Sequence, residues 1–119
     1  MKHLPKHLRP RWRYLVVGLS TPEGASIERR SFQRECWYAA QNLLGDPGSA
    51  TADLRVVEFR FQEADGEGEA LIRARRGEEE AARAAIACVD AVDGVPLGLS
   101  VRGVSGTIRA ATEKFCRLA

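Results

Sequence analysis

Histidine is nearly absent from this chain: the only two, His3 and His7, lie within the first seven residues. Their i,i+4 spacing suits a metal only on a helix, and Pro5 between them opposes one. No Ser-His-Asp or Cys-His set can be drawn from the rest of the chain, which argues against nucleophilic catalysis of that kind. Cysteine is sparse too. Cys36, Cys88 and Cys116 are odd in number, far apart and without paired metal spacing. Each falls in or beside a helical apolar pattern, so they read as small core side chains in a protein of the reducing cytoplasm. No apolar run approaches membrane-spanning length, and the N-terminus lacks the apolar stretch of a signal peptide. Lysine is scarce as well, with 3 Lys against 15 Arg. Arg makes flat, bidentate contacts with phosphate that Lys cannot.

What is present describes one folded domain. A chain of 119 residues, 45% apolar and 29% charged, can bury a core without disulfide or metal staples. The net charge of +2 conceals an uneven distribution. Residues 1–13 carry Lys2, Lys6, Arg9, Arg11 and Arg13 without an acid. Residues 63–80 are predominantly acidic, and residues 102–119 return to basic. Two basic ends around an acidic middle point to a polyanionic partner. Residues 1–11 read as an extended basic arm, because Pro5 and Pro10 oppose a helix, and residues 12–119 as a single α/β domain.

Trp12 to Ser20 has the apolar run of a central strand. A helix capped by Ser31 follows, with Phe32, Cys36, Ala39, Ala40 and Leu43 on one stripe, and Gly45-Asp46-Pro47-Gly48 ends it. Leu54–Gln62 and Glu69–Arg76 alternate as the strands of a hairpin. A second helix opens at Glu78, with Ala82, Ala85, Ile86, Val89 and Val92 inward. The last strand spans Val95–Val101, and a closing helix turns Ile108, Ala111, Phe115 and Leu118 inward. The order β-α-β-β-α-β predicts a ferredoxin-like α/β sandwich with an antiparallel sheet. The added C-terminal helix is expected to cover a sheet edge or part of the open face.

The stretch richest in potential chemistry is Arg102-Gly103-Val104-Ser105-Gly106-Thr107-Ile108-Arg109. Read as a strand-to-helix turn, its glycines let the backbone approach a ligand, and Ser105 or Thr107 caps the helix. Arg102 and Arg109 flank an anion site, unless the turn only seats the last helix. The polar hairpin face adds Arg60, Arg73 and Arg75. Trp12, Tyr14, Tyr38 and Leu71 are the candidates for a protein interface. The run Arg102–Gly106 is similar to the phosphate loop of acylphosphatases. That family places its loop after the first strand and needs an asparagine on a middle strand, and neither hairpin strand here contains one. Base stacking as in the RNA-recognition motif is disfavoured, because Leu71, Arg73 and Arg75 stand where aromatics belong. A protein-binding module without direct RNA contact stays open as an alternative.

Three pieces in order resemble the ribonuclease P protein component 2 family. They are the start Lys2-His3-Leu4-Pro5-Lys6-His7-Leu8-Arg9 leading to Arg13-Tyr14, the helix with Trp37 and Leu43-Leu44-Gly45, and Val104-Ser105-Gly106-Thr107-Ile108-Arg109. The resemblance implies a subunit of the ribonucleoprotein that removes the 5′ leader from precursor tRNA. It implies that the catalytic RNA performs the chemistry with Mg²⁺, so the protein itself holds no cofactor and no catalytic residue. It implies ribonuclease P RNA and protein component 3 as partners, precursor tRNA indirectly, and a tetramer of two such pairs. Lys2, Lys6, Arg9, Arg11, Arg13, Arg102, Gly103, Ser105, Gly106, Thr107 and Arg109 are the expected RNA contacts. The acidic hairpin loop and the low lysine content depart from the family pattern.

Overall fold

The structure is a computed structural model that describes residues 11–118. Lys2, Lys6 and Arg9 of the predicted arm therefore lie outside the described residues. Strands β1 (Trp12–Ser20), β2 (Arg55–Gln62), β3 (Glu67–Arg75) and β6 (Gly98–Ser105) form one sheet in the order β2-β3-β1-β6, with every pairing antiparallel. Helices α1 (Arg29–Ala52) and α2 (Glu79–Ala87) complete the ferredoxin-like pattern. A two-residue-per-strand hairpin, β4 (Ala91–Val92) with β5 (Val95–Pro96), precedes β6, and α3 (Ile108–Phe115) closes the chain. No helix among the described residues is long and apolar enough to cross a membrane.

Alternation along the strands sorts side chains between two faces. Leu15, Val17 and Leu19 of β1 and Ala70, Ile72 and Ala74 of β3 meet Phe32, Cys36 and Ala40 of α1 and Ala82, Ala85 and Ile86 of α2 in the main core. Alanines at the α2 contacts let that helix lie close to the sheet. Desolvation in this core pushes the Cys36 thiol up to about 12, which leaves it an inert apolar filler. On the other face Val16 and Leu71 pack beneath Ala111, with Tyr14, Phe115 and Cys116 around them. The added helix thus covers part of the open sheet face. Leu71, expected as an exposed interface residue, is buried there.

Other boundaries differ from expectation for local reasons. The first helix starts at Arg29 without a side-chain cap, and Ser31 is buried inside its first turn. It does not end at Gly45. Gly45 takes φ 75° and kinks the chain, and helix resumes to Ala52 with Pro47 at the head of the second segment, where its missing N–H costs nothing. Leu43 faces solvent, and Leu44 packs on the core in its place. The last strand is shifted toward the C-terminus. Asp93-Gly94, both at positive φ, turn a hairpin over residues 91–96, and pairing with β1 begins only at Gly98 opposite Ser20. At the chain's end Ala111 and Phe115 turn inward, whereas Ile108 is exposed and Leu118 lies beyond the helix.

A bulge decides what happens on the α3 face. Val16 pairs with Gly103 and Val17 with Val101, so Arg102 is the extra residue of β6. Its guanidinium crosses β1 above Gly18, where an added Cβ would lie 2.7 Å from Nη2. It reaches Glu69, which pairs with Gly18 from the far side and is only 1% exposed. The Glu69 carboxylate accepts from Arg102 Nη1 and from the backbone N–H groups of Arg117 (2.7 Å) and Leu118 (3.3 Å), with Arg60 Nη1 at 3.6 Å. It holds the segment after α3 against the sheet. Burial, and then the Glu69 carboxylate, push the neighbouring Cys116 thiol up. Gly103 admits the other half of the contact, because a Cβ there would come within 2.4 Å of the Phe115 ring.

Removing one partner of a buried, hydrogen-bonded ion pair strands the other, at about 3–5 kcal/mol. We expect Glu69→Ala to lower the unfolding free energy by about that amount in urea titrations and to speed amide exchange along α3. A change within about 0.5 kcal/mol, the range of ordinary surface substitutions, would contradict the assignment.

Candidate nucleic-acid interface

The closing stretch is not an anion cradle. Residues 98–105 are strand, Gly103 lies under Phe115, and Arg102 is committed to Glu69 inside the protein. The expectation that Arg102 and Gly103 meet RNA therefore gives way to an internal role. The loop similar to that of acylphosphatases does not form, for the same reason. Thr107, not Ser105, caps α3, its Oγ1 accepting from Ala110 N at 3.1 Å. Arg109 is 88% exposed and pairs along the helix with Glu113 at 3.0 Å. Such a surface pair holds the arginine only weakly.

Strand register gathers the free cations elsewhere. Trp12 pairs with Arg75, Tyr14 with both Arg73 and Ser105, and Arg55 with Arg73. The first residues of β1 and β2 and the last of β3 and β6 therefore share one end of the sheet. Arg11, Arg13, Arg55, Arg73, Arg75 and Arg76 collect there, and α3 adds Arg109 from its first turn. The acids at this end are Asp53 and Glu78 to Glu80. The stretches that build the opposite end, 18–28, 61–69 and 88–101, contain eight acids and no Arg or Lys. Arg34, paired with Asp93 at 2.7 Å, and Arg117 reach that end from neighbouring elements. The sheet is electrically polarised along its strands.

Several of the basic side chains are held in place. The Arg73 guanidinium lies 3.7 Å from the centroid of the Trp12 ring, with that of Arg75 at 5.3 Å, which is cation–π packing. Arg75 Nε donates to Thr51 O at 3.1 Å, and its guanidinium is 3.6 Å from Asp53. Arg13 stands 3.6 Å from Glu79. Glu79 accepts from Gly77 N at 2.9 Å, and that bond, with smaller help from Arg13 and Arg76, lowers its pKa against a modest opposing effect of burial. Arg11, Arg73 and Arg76 make no ion pair among the described residues. A cavity of about 350 Å³ opens at this corner between Arg11, Trp12, Arg13, Tyr14, Arg76 and Gly106.

Of the predicted site residues, Arg11, Arg13, Gly106 and Trp12 meet at this corner. Tyr14 lines it while packing into the smaller core. Arg60 of the hairpin face turns to Glu58 and Glu69. Arg55 and Arg76 are additions. They flank turns, where basic residues are unremarkable, and only strand register brings them to the end of the sheet that holds Trp12. Among the described residues no group of three or more His, Cys, Asp or Glu side chains is arranged to hold a metal ion.

Residues 13–116, nearly the whole described chain, match the Rpp14/Pop5 family. The chain belongs to this family. Ribonuclease P protein component 2 of Natronomonas pharaonis is 65% identical over 117 residues, covering 98% of this chain and 71% of that protein. The protein of the same name from Haloarcula marismortui is 59% identical over the same shares. That from Methanosarcina mazei is 36% identical over 115 residues, covering 97% of this chain and 92% of its own. A chain in the cryo-EM structure of yeast ribonuclease MRP superposes with a TM-score of 0.58 at 17% identity, over 82% of this chain and 75% of that one. At that identity the likeness speaks for the fold.

The lowered Glu79 pKa has a stability consequence. A depressed carboxylate stabilises the fold above its unfolded pKa, near 4.5, and the benefit is lost as pH falls through the folded value. Urea midpoints of the wild type and Glu79→Gln should differ by a constant amount above pH 4.5 and converge below it. Parallel curves down to pH 3 would contradict the assignment.

Proposed function

We propose that this chain works by holding RNA at the basic end of its sheet, as a non-catalytic member of a ribonucleoprotein enzyme. It is a protein subunit of ribonuclease P, the endoribonuclease that removes the 5′ leader from precursor tRNA. The observation that carries the interface is the polarised sheet, with Arg11, Arg73 and Arg76 in no ion pair among the described residues and Arg11 and Arg76 lining a cavity. Arginines on strand ends offer bidentate donors to phosphate oxygens in a fixed array. Contacts of this kind position RNA by its backbone and release counterions on binding. In this reading the Mg²⁺-dependent chemistry belongs to the RNA, and precursor tRNA is met through it. Lys2, Lys6 and Arg9, outside the described residues, are included in the proposed RNA contacts for their charge. A cytoplasmic setting fits the free thiols of Cys36, Cys88 and Cys116.

A second surface suits a protein partner. Trp37, Tyr38 and Leu43 are 44%, 50% and 48% exposed along α1. Beside them a cavity of about 300 Å³ lies between the two segments of the kinked helix, lined by Trp37, Tyr38, Gln41, Ser49, Ala50, Asp53 and Leu54. The Trp37 indole N–H donates to Leu54 O at 2.8 Å, which fixes the ring at the rim. Large apolar groups around a preformed hollow are what a protein interface uses as anchors. We assign this face to protein component 3, and self-association into a tetramer of two pairs belongs to the same proposal.

Two measurements test these assignments. Replacing Arg11 and Arg76 together by Ala should weaken binding to ribonuclease P RNA and reduce the slope of log K against log salt by about one per lost phosphate contact. Glu63→Gln with Asp65→Asn, at the acidic end, should leave both nearly unchanged. Equal effects of the two pairs would contradict a localised interface. Tyr38→Ala with Leu43→Ala should abolish co-purification with component 3 while leaving the melting temperature within a few degrees. Retained co-purification would remove α1 from that interface.

A further inference from the structure

The cavity at the basic end has an aromatic side as well as cationic ones. Trp12 and Tyr14 line it with Arg11, Arg13, Arg76 and the backbone of Gly106. Phosphate alone needs no aromatic surface. The indole is anchored from elsewhere: Arg73 lies against its ring at 3.7 Å, and Arg75 approaches at 5.3 Å. Arg73 Nε is buried without a hydrogen-bond partner among the described residues, and the guanidinium packs on the Trp12 ring. Elsewhere on the open sheet face α3 covers Val16 and Leu71, where other sheet-based readers would receive bases. Beyond the last β1–β6 pair, Tyr14 with Ser105, β1 continues alone on that side, and Gly106, just past β6, borders the cavity.

We infer that this corner is a slot for one unpaired nucleotide of RNA, its base stacked on Trp12 and its phosphates held by Arg11, Arg13 and Arg76. The inference rests on the reading of the basic end as the RNA interface and adds a base to it. A duplex presents phosphates at a convex surface and keeps its bases stacked inside, so it can use the arginines but not the ring. A single-stranded bulge, loop or end can use both. The base is read by its π-face, so the slot selects unpaired RNA over paired RNA with little preference among sequences. The nucleotide could come from ribonuclease P RNA or from precursor tRNA, and both present the same chemistry.

Trp12 and Trp37 are the two tryptophans of the chain, so Trp37→Phe leaves Trp12 as the sole indole emitter. Thermal melting of the variant establishes that it is folded. Single-stranded RNA should quench Trp12 emission, whereas an RNA duplex and inorganic polyphosphate should bind without quenching. In the wild-type background Trp12→Ala should lower affinity for single-stranded RNA about tenfold or more, and Trp12→Phe should retain most of it. Equal quenching by polyphosphate, or binding that Arg76→Ala weakens while emission stays constant, overturns the stacking slot and leaves the phosphate interface standing. Failure of all three polyanions to bind overturns both. Parallel titrations with ribonuclease P RNA and with precursor tRNA assign the source to whichever quenches at lower concentration.

Discussion

Glu69 lies beneath the segment that follows α3, and the arrangement of this molecule depends on how its charge is met. Three features far apart in sequence converge on it. A bulge in β6 aims Arg102 across the sheet, Gly18 leaves the lane open, and two backbone N–H groups after α3 complete the shell. An isolated buried carboxylate would cost several kcal/mol, and this shell offsets most of that cost only when α3 is docked. The ion pair therefore acts as a registry device. It specifies where the last helix sits rather than adding much net stability.

Docking of α3 has a functional consequence. An antiparallel sheet with helices on one face has a second face to offer, and here Ala111 and Phe115 cover Val16 and Leu71 in the middle of it. The sheet's ends stay open, and strand register makes them unequal. One collects arginines and the other collects acids, although the chain's net charge is only +2. A strong local field on a nearly neutral protein suits a subunit that must orient on a polyanion without binding it everywhere. In the proposed interface the acidic end repels the same RNA and so contributes to orientation.

Periodicity made most of the fold legible. The alternation of Val57, Phe59 and Phe61 with polar residues, the apolar run of β1 and the alanine stripe of α2 are local signals, and they predict the right elements in the right order. The closing stretch was misread because Gly103 and Gly106 look alike in sequence. Gly103 is a strand residue made small for Phe115, and Gly106 borders the basic corner near Arg13. Arg102 reads as free because its partner lies 33 residues earlier, at the head of the returning hairpin strand beside an acidic loop. The kink at Gly45 had a local signature, Gly-Asp-Pro-Gly, that serves equally for a stop and for a restart. The basic corner was half legible, through Arg11, Arg13 and Trp12. Arg73 and Arg75 read as part of the polar hairpin face, but their place beside Trp12, and the presence of Arg55 and Arg76, depend on pairing between strands, which no local pattern encodes.

In the proposed interface RNA meets the end of the sheet where β1 begins and β3 ends. Photo-crosslinking of the assembled ribonuclease P particle, followed by mass spectrometry of RNA-adducted peptides, tests it most directly. The account predicts adducts concentrated on peptides spanning residues 11–14 and 73–76, with peptides of the acidic loop at 63–67 unmodified. Adducts confined to residues 98–105 and the exposed side of α3, with none at 11–14 or 73–76, would contradict it.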